Sequence, residues 1–268
     1  MHRIELNSVR FVKLYLRDYG VFLGSNEIDF DQKRTLIIGC GGTGKTTIFN
    51  ALANLGPAIE VKPHFQAKSH EMSVEVVTEG NRNLIKEYSR LIFLDDESIY
   101  SNMFNNEDPF IDILDHQQLK AVKDEAREIF QTILYRTPWE IEAHKDLKFN
   151  AMAAGERICL GYAYTFAVRK VLNLDLPIVF DEPYARIDLL LKQKLSTFLQ
   201  NQPCQQIILR HKDTHSKEDK THYILANRGD YSQIIKVIEG KKSQKPPLKK
   251  YTIKSNKKIH IIGLGEIS

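Results

Sequence analysis

Apolar positions in the first 40 residues fall into strand-like patterns. Phe11, Val12, Leu14 and Leu16 form a β-rich stretch that ends at Tyr19-Gly20, and residues 26–30 read as a second short extended piece. Thr35-Leu36-Ile37-Ile38 is an apolar run that stops at glycine, as a buried strand does. Residues 71–94 return to strand patterns (MSVEVV, then LIFL) with a turn at Glu79-Gly80-Asn81. Over residues 111–136, Leu119, Val122, Ala126, Ile129, Phe130 and Ile133 recur at spacings of three and four, which predicts a helix with one apolar stripe that Pro138 terminates. A second helix is expected from about Gly155 to Leu172, and a third over 187–199. Residues 176–180 and 206–209 read as buried strands, and 222–226 and 233–238 as two more. There is no internal repeat.

Chemistry gathers where these runs end. Gly39-Cys40-Gly41-Gly42-Thr43-Gly44-Lys45-Thr46 satisfies G-x-x-x-x-G-K-[ST] between an expected strand and an expected helix. Glycines let consecutive backbone N–H groups converge on an anion, and the helix that follows points its positive end at it. Lys45 then reaches the β- and γ-phosphates of a nucleotide, and the Thr46 hydroxyl ligands Mg²⁺. A second cluster ends the run Leu176-Pro177-Ile178-Val179-Phe180 with Asp181-Glu182. Strand ends at the carboxyl edge of a parallel sheet are where ligands collect. There Asp181 suits Mg²⁺ held through water, and Glu182 suits a base that deprotonates an attacking water. Small residues ahead of Gly155-Glu156 leave a helix N-terminus open to phosphate, and His211 stands at the end of the 206–209 strand, within a γ-phosphate's reach. Cys204, His211, His215 and His222 lack the paired spacing of a zinc site.

Charge changes this picture in one place. The 268 residues carry a formal net charge of +4, but residues 241–268 hold eight lysines and one acid, Glu266; that +7 tail leaves a body of −3. The tail reads either as a solvated linker or as a contact for a nucleic-acid phosphate backbone. Its last apolar piece, KIHIIGLG, suits a strand added to this sheet or to a partner's. Three scattered cysteines without a CxxC pair point away from a disulfide scaffold and towards a reducing compartment. No apolar run is long enough for a membrane helix and no signal peptide is apparent, so the expected location is cytoplasmic, with no membrane partner.

Taken in order, these motifs resemble the ATP-binding cassette (ABC) ATPases, and more narrowly the heads of the structural-maintenance-of-chromosomes (SMC) and RecF proteins. The resemblance rests on KLYLRDYGVFLGSNEIDF followed by LIIG and the phosphate loop, on MAAGER as a signature, and on LDLPIVFDEPYARID as a Walker B segment running into a D-loop. It spans about residues 10–240. It implies an α/β P-loop NTPase fold of ABC type, a mixed sheet with an N-terminal β subdomain and a small helical lobe. Residues 1–240 are then the head, with the lobe inserted at about 60–150, and 241–268 an appended basic tail. It also implies ATP and Mg²⁺ as ligands. Gly39, Cys40, Gly41, Gly42, Thr43, Gly44, Lys45, Thr46 and Thr47 then hold the phosphates, and Arg17 adds a phosphate or base-side contact. Asp181 supports Mg²⁺ and Glu182 is the general base. His211 is the switch histidine, and Asp188 is the D-loop carboxylate that faces a second subunit. Ala153, Ala154, Gly155 and Glu156 touch ATP bound to that subunit, in a head-to-tail homodimer.

Three departures from the family pattern stand out. The signature serine is replaced by Ala153, which loses a hydrogen bond of roughly 1.5–3 kcal/mol to a charged acceptor. Asp96 stands where the Q-loop glutamine is expected, from where it reaches Mg²⁺ through water. No long coiled coil separates Thr46 from Met152. The function expected is an ATP-hydrolysing switch acting on DNA, without sequence preference, or on a separately encoded nuclease or other effector, in DNA repair or anti-phage defence. The alternatives are the ATPase subunit of a membrane transporter, which the signature's Glu156 and the missing glutamine argue against, and a pseudo-ATPase that holds ATP structurally. A small-molecule kinase accounts for neither the signature nor His211.

Overall fold

The run that stops at Gly39 becomes the strand on which the rest is built. A computed structural model describes residues 7–53, 73–95, 110, 112–134, 153–185, 187–211, 221–228 and 231–238. The elements are β1 (Val9–Tyr19), β2 (Phe22–Asp29), β3 (Arg34–Gly39), α1 (Lys45–Ala53), β4 (Ser73–Gly80), α2 (Asn83–Glu87), α3 (Ser89–Ile92), β5 (Phe93–Leu94), α4 (His116–Leu134), α5 (Ala154–Val171), β6 (Ile178–Asp181), α6 (Leu189–Gln200), β7 (Gln206–Arg210), β8 (Thr221–Asn227) and β9 (Ser232–Ile238). Nine strands form one sheet in the order β4-β1-β2-β9-β8-β3-β7-β6-β5. β3 pairs in parallel with β7 and β8, and β6 in parallel with β7 and β5. β1 runs antiparallel to both β2 and β4. The expected mixed sheet with an N-terminal β part is thus present, and β4 belongs to the same sheet.

Alternation along the parallel strands decides the two faces. Leu36, Ile178, Phe180 and Ile208 share a cluster with Cys159 and Tyr162 of α5 and with Leu191, Leu195 and Leu199 of α6. Their neighbours Ile37, Val179, Ile207 and Leu209 join Ile48, Phe49 and Leu52 of α1 and Leu14, Leu16 and Ile28 of the β1–β2 hairpin. The apolar stripe of α4 is buried at Leu119, Val122, Ala126 and Ile133, as its spacing predicts. Among the described residues no helix is long and apolar enough to cross a membrane.

Several element boundaries differ from the sequence reading. α4 begins at His116 rather than at 111, because the Asp115 carboxylate accepts the Gln118 N–H at 2.7 Å and caps the helix there, and α6 begins at Leu189 rather than at 187, behind its Asp188 cap. β2 starts at Phe22, four residues before the expected piece, because Gly20 (φ +58°) closes a tight turn and the Asp18 carboxylate accepts the Gly24 N–H at 2.7 Å. The LIFL run is half strand: Leu91 and Ile92 belong to the helical turn α3, and only Phe93 and Leu94 pair, with Val179 and Phe180. The pairing stops there because Ile92, the residue that would face Ile178, is still in the helical turn.

One buried side chain ties the β part to the parallel core. Gln205 accepts the Phe11 N–H at 2.9 Å and donates to the carbonyls of Phe11 at 2.8 Å and Asp31 at 2.9 Å. Gln205→Leu leaves these groups unpaired, and we expect a loss of about 1–3 kcal/mol for each buried group orphaned. Urea unfolding checks this as a lowered midpoint at unchanged slope.

Candidate active site

The carboxyl ends of β3, β6 and β7 place three motif segments side by side. β3 delivers Gly39 to the sheet edge and α1 starts at Lys45, so the loop between them turns in five residues. Gly42 (φ +74°) and Gly44 (φ +98°) take left-handed conformations that favour glycine. A Cβ on Gly39 would strike the Thr43 hydroxyl, and one on Gly44 would lie 2.5 Å from Val21 Cγ2 and 2.7 Å from the Phe22 ring. Gly20, at the tip of the β1–β2 hairpin, approaches α1 so closely that its Cβ would stand 2.7 Å from Thr47 Cγ2. The hairpin therefore props the loop from one side.

Lys45 is buried. Its Nζ donates to the carbonyls of Gly39 at 2.9 Å and Cys40 at 3.1 Å, and lies 3.3 Å from Glu182 Oε1. The Thr46 hydroxyl donates to Asp181 Oδ2 at 3.1 Å, joining the start of α1 to the end of β6. Burial first, then the nearby Glu182 and Asp95 charges, push the Asp181 carboxyl above its usual range, while the Thr46 hydroxyl and Lys45 oppose the shift. Glu182 sits at φ +54°, a conformation costing about 1–3 kcal/mol for a residue with a side chain. Its N–H donates to Leu209 O at 2.9 Å, its carbonyl accepts Ala185 N–H at 3.1 Å, and its Oε2 accepts the His211 N–H at 3.1 Å. Oε1 is buried without an aligned hydrogen bond, although Lys45 Nζ and His211 Nε2 both lie 3.3 Å away. Such an orphaned acceptor is what a bound water or ligand proton would satisfy. The oxygen donors Thr46 and Asp181 form a set that suits a hard divalent cation such as Mg²⁺, and the glycine cradle leaves room for phosphate.

Lys45, Thr46, Asp181, Glu182 and His211 are thus brought together. Thr43 is buried within the loop, its hydroxyl on Cys40 O at 2.8 Å, and Cys40, Gly41 and Gly42 are exposed. Arg17 lies exposed on β1, opposite Ser25 and Ser73 and just before the Gly20 turn. Ala153, Ala154, Gly155 and Glu156 stand on a separate element, the N-terminus of α5, where Ala153 and Ala154 face solvent. Glu156 accepts the Ala153 N–H at 3.1 Å, which is half of a capping box; Ala153 has no acceptor for the other half. Ala153→Ser completes the box, and we expect it to stabilise the chain by about 0.5–2 kcal/mol, read as a raised thermal midpoint. Asp188 caps α6, its Oδ1 accepting the Leu191 N–H at 2.9 Å. Asp96 lies outside the described residues. The neighbouring Asp95 was missed by motif reading, but the Leu94↔Phe180 register sets it beside Asp181. Gly20 was missed as well, because its role depends on a contact with Thr47 that no local pattern encodes.

No protein-family model and no curated protein matches the chain. Solved structures do. The SMC head domain from Thermotoga maritima is 17% identical over 85% of this chain and 99% of its own, at a TM-score of 0.56. An Smc head bound to the C-terminal winged-helix domain of ScpA is 16% identical, with 86% and 98% covered and a TM-score of 0.60. CbiO1 from Clostridium perfringens, part of the ABC transporter complex CbiONQ, is 14% identical, with 84% and 88% covered and a TM-score of 0.52. With the phosphate loop, the carboxylate pair and His211 on one sheet edge, the chain has the ABC-type P-loop ATPase fold in the form seen in SMC heads.

Proposed function

We propose that the chain is a Mg²⁺-dependent ATPase of the SMC/RecF kind, an ATP-gated switch that dimerises head to tail around nucleotide. The observation that supports it best is the convergence of Lys45, the Thr46–Asp181 pair and the Glu182–His211 pair at the carboxyl edge of the sheet. Residues 39–47 hold the triphosphate, with Arg17 assisting at its rim. Lys45 leaves the Gly39 and Cys40 carbonyls for the β- and γ-phosphate oxygens, an exchange of neutral for charged acceptors that strengthens its hydrogen bonds. Thr46 and Asp181 would hold Mg²⁺, with Asp96 as a further carboxylate for it, and the ion would supply neutralisation of the charge on the transferred phosphoryl group. Glu182 accepts the proton of the attacking water through Oε1, and the His211 N–H keeps its other oxygen fixed. His211 Nε2, beside the same carboxylate, donates to the γ-phosphate region and registers its loss.

Ala153–Glu156 act from the partner subunit, whose helix N-terminus completes the site, with Asp188 at the same interface. Exposure of Ala153 and Ala154, and of Cys40, Gly41 and Gly42 in the phosphate loop, agrees with this. The head, residues 1–240, couples hydrolysis to DNA or to a nuclease or other effector in repair or defence. β9 ends at Ile238, paired with Thr221 at the sheet edge opposite the phosphate loop. The SMC head neighbour bound to ScpA gives this proposal a precedent for a protein partner. The transporter reading is weaker because the chain lacks the glutamine that family expects.

The test is ATP turnover by the full chain, with Mg²⁺ and with EDTA, and with and without duplex DNA. Release of phosphate that EDTA abolishes supports the proposal; no turnover under any of these conditions sinks it. For the tail, deletion of residues 241–268 is expected to weaken DNA binding and flatten its salt dependence. Unchanged affinity at low salt would mean that the tail is a linker.

A further inference from the structure

At the sheet edge opposite the catalytic one, the start of β1, the end of α5 and the α6–β7 loop enclose a half-open cavity of about 970 Å³. Two of its cations are already paired. Arg10 meets Asp175 at 3.3 Å, and Lys170 meets Glu125 at 2.6 Å. The third, Arg169, is 5% exposed. Its hydrogen bonds go to the carbonyls of Leu91 and Pro177, at 3.2 Å each, and of Leu176. These carbonyls take three of its hydrogen bonds, and the nearby Asp175 carboxylate acts on its charge without bonding to it, a costly arrangement for a buried ion. The cavity wall beside it is aromatic: the guanidinium lies 5.9 Å from the Phe166 ring centre, and Phe166 and Phe198 meet edge to face at 5.2 Å. The charged groups of the lining are three cations, Arg10, Arg169 and Lys170, against two carboxylates, Glu125 and Asp175, so the cavity offers an excess of positive charge next to an apolar surface, in a volume that suits a small molecule.

We propose that this cavity binds an organic anion with an aromatic or aliphatic body, its acid group drawn to the charge of Arg169 and its body resting on Phe166 and Phe198. An anion gains more from this charge than from a surface lysine, because water does not screen a guanidinium buried in the wall. A cation is disfavoured, since both lining carboxylates already hold partners. The site is separate from the nucleotide edge and does not rest on the ATPase reading.

Titration of the full chain with anilinonaphthalene sulfonate, an aromatic sulfonate whose emission rises in apolar surroundings, tests this. One saturable site per chain is expected. Gln202→Trp, which places bulk at the half-buried rim, and Arg10→Glu, which adds a second acid beside Asp175, are each expected to weaken it about tenfold or more. Lys120→Glu on the exposed side of α4 is expected to leave it unchanged. Circular dichroism verifies that each variant is folded. Decanoate is expected to displace the probe, and decanol, of equal chain length but neutral, to fail. Absence of saturable binding, equal binding by all variants, or equal displacement by the acid and the alcohol would each overturn the proposal.

Discussion

Glu182→Gln is expected to lower ATP turnover about a hundred- to ten-thousand-fold, the usual worth of a positioned general base. The substitution is close to isosteric, so the His211 N–H still finds an oxygen and the φ of +54° is no harder for glutamine than for glutamate. What is lost is the acceptor for a proton. Nucleotide binding depends on other groups, the glycine loop, Lys45 and Thr46, and is expected to survive. A site that binds ATP and does not cleave it holds the proposed dimer closed. Light scattering should then give twice the monomer mass for this variant with ATP and Mg²⁺, and monomer without ATP. If turnover is unchanged, Glu182 is not the base; if the mass stays monomeric with ATP bound, the proposed switch through dimerisation fails.

Gly44→Ala is expected to have the largest effect on stability and to remove nucleotide binding with it. Two costs add. A φ of +98° is a conformation that L side chains rarely adopt, at roughly 1–2 kcal/mol. The new methyl also lands 2.7 Å from the buried Phe22 ring, and overpacking of that kind costs about 1–3 kcal/mol. The sum, about 2–5 kcal/mol, is a large part of a typical domain's margin. Gly42→Ala is the control: φ is +74°, but nothing lies within 4 Å of its Cβ, so only the conformational cost of about 1–2 kcal/mol remains. Urea unfolding of the pair, with a fluorescent ATP analogue to follow binding, separates the two costs. Equal destabilisation by both would show that the Phe22 contact does not constrain the loop.

Several residues of the candidate site were legible because each sits at a boundary between two local patterns. Gly39 to Thr46 and Asp181-Glu182 end apolar runs in polar residues, and the runs alone told that both ends belong to buried strands. The stripe of α4 was legible for the same reason: its spacing of three and four puts one face inward whatever it packs on. Short apolar runs were less informative. LIFL fits a strand or a helical turn, and the β6 strand that pairs with its second half lies more than 80 residues away in sequence.

The sequence by itself determined the order of motifs, the strand–loop–helix frame of the phosphate loop and the alternation that divides the sheet into two buried faces. These follow from spacing between neighbours, which every residue carries locally. Only the tertiary structure decided which residues meet. It set Asp95 beside Asp181 through the β5–β6 register and pressed Gly20 against Thr47. It used Gln205 to bond Phe11 across the sheet and placed the Lys45 ammonium against the Glu182 carboxylate. It also left Arg169 buried over a cavity with carbonyls as its hydrogen-bond partners. The physical reason is common to all of these. Each depends on the distance between side chains on different elements, and parallel pairing joins segments far apart in the chain, so no local pattern can encode the contact.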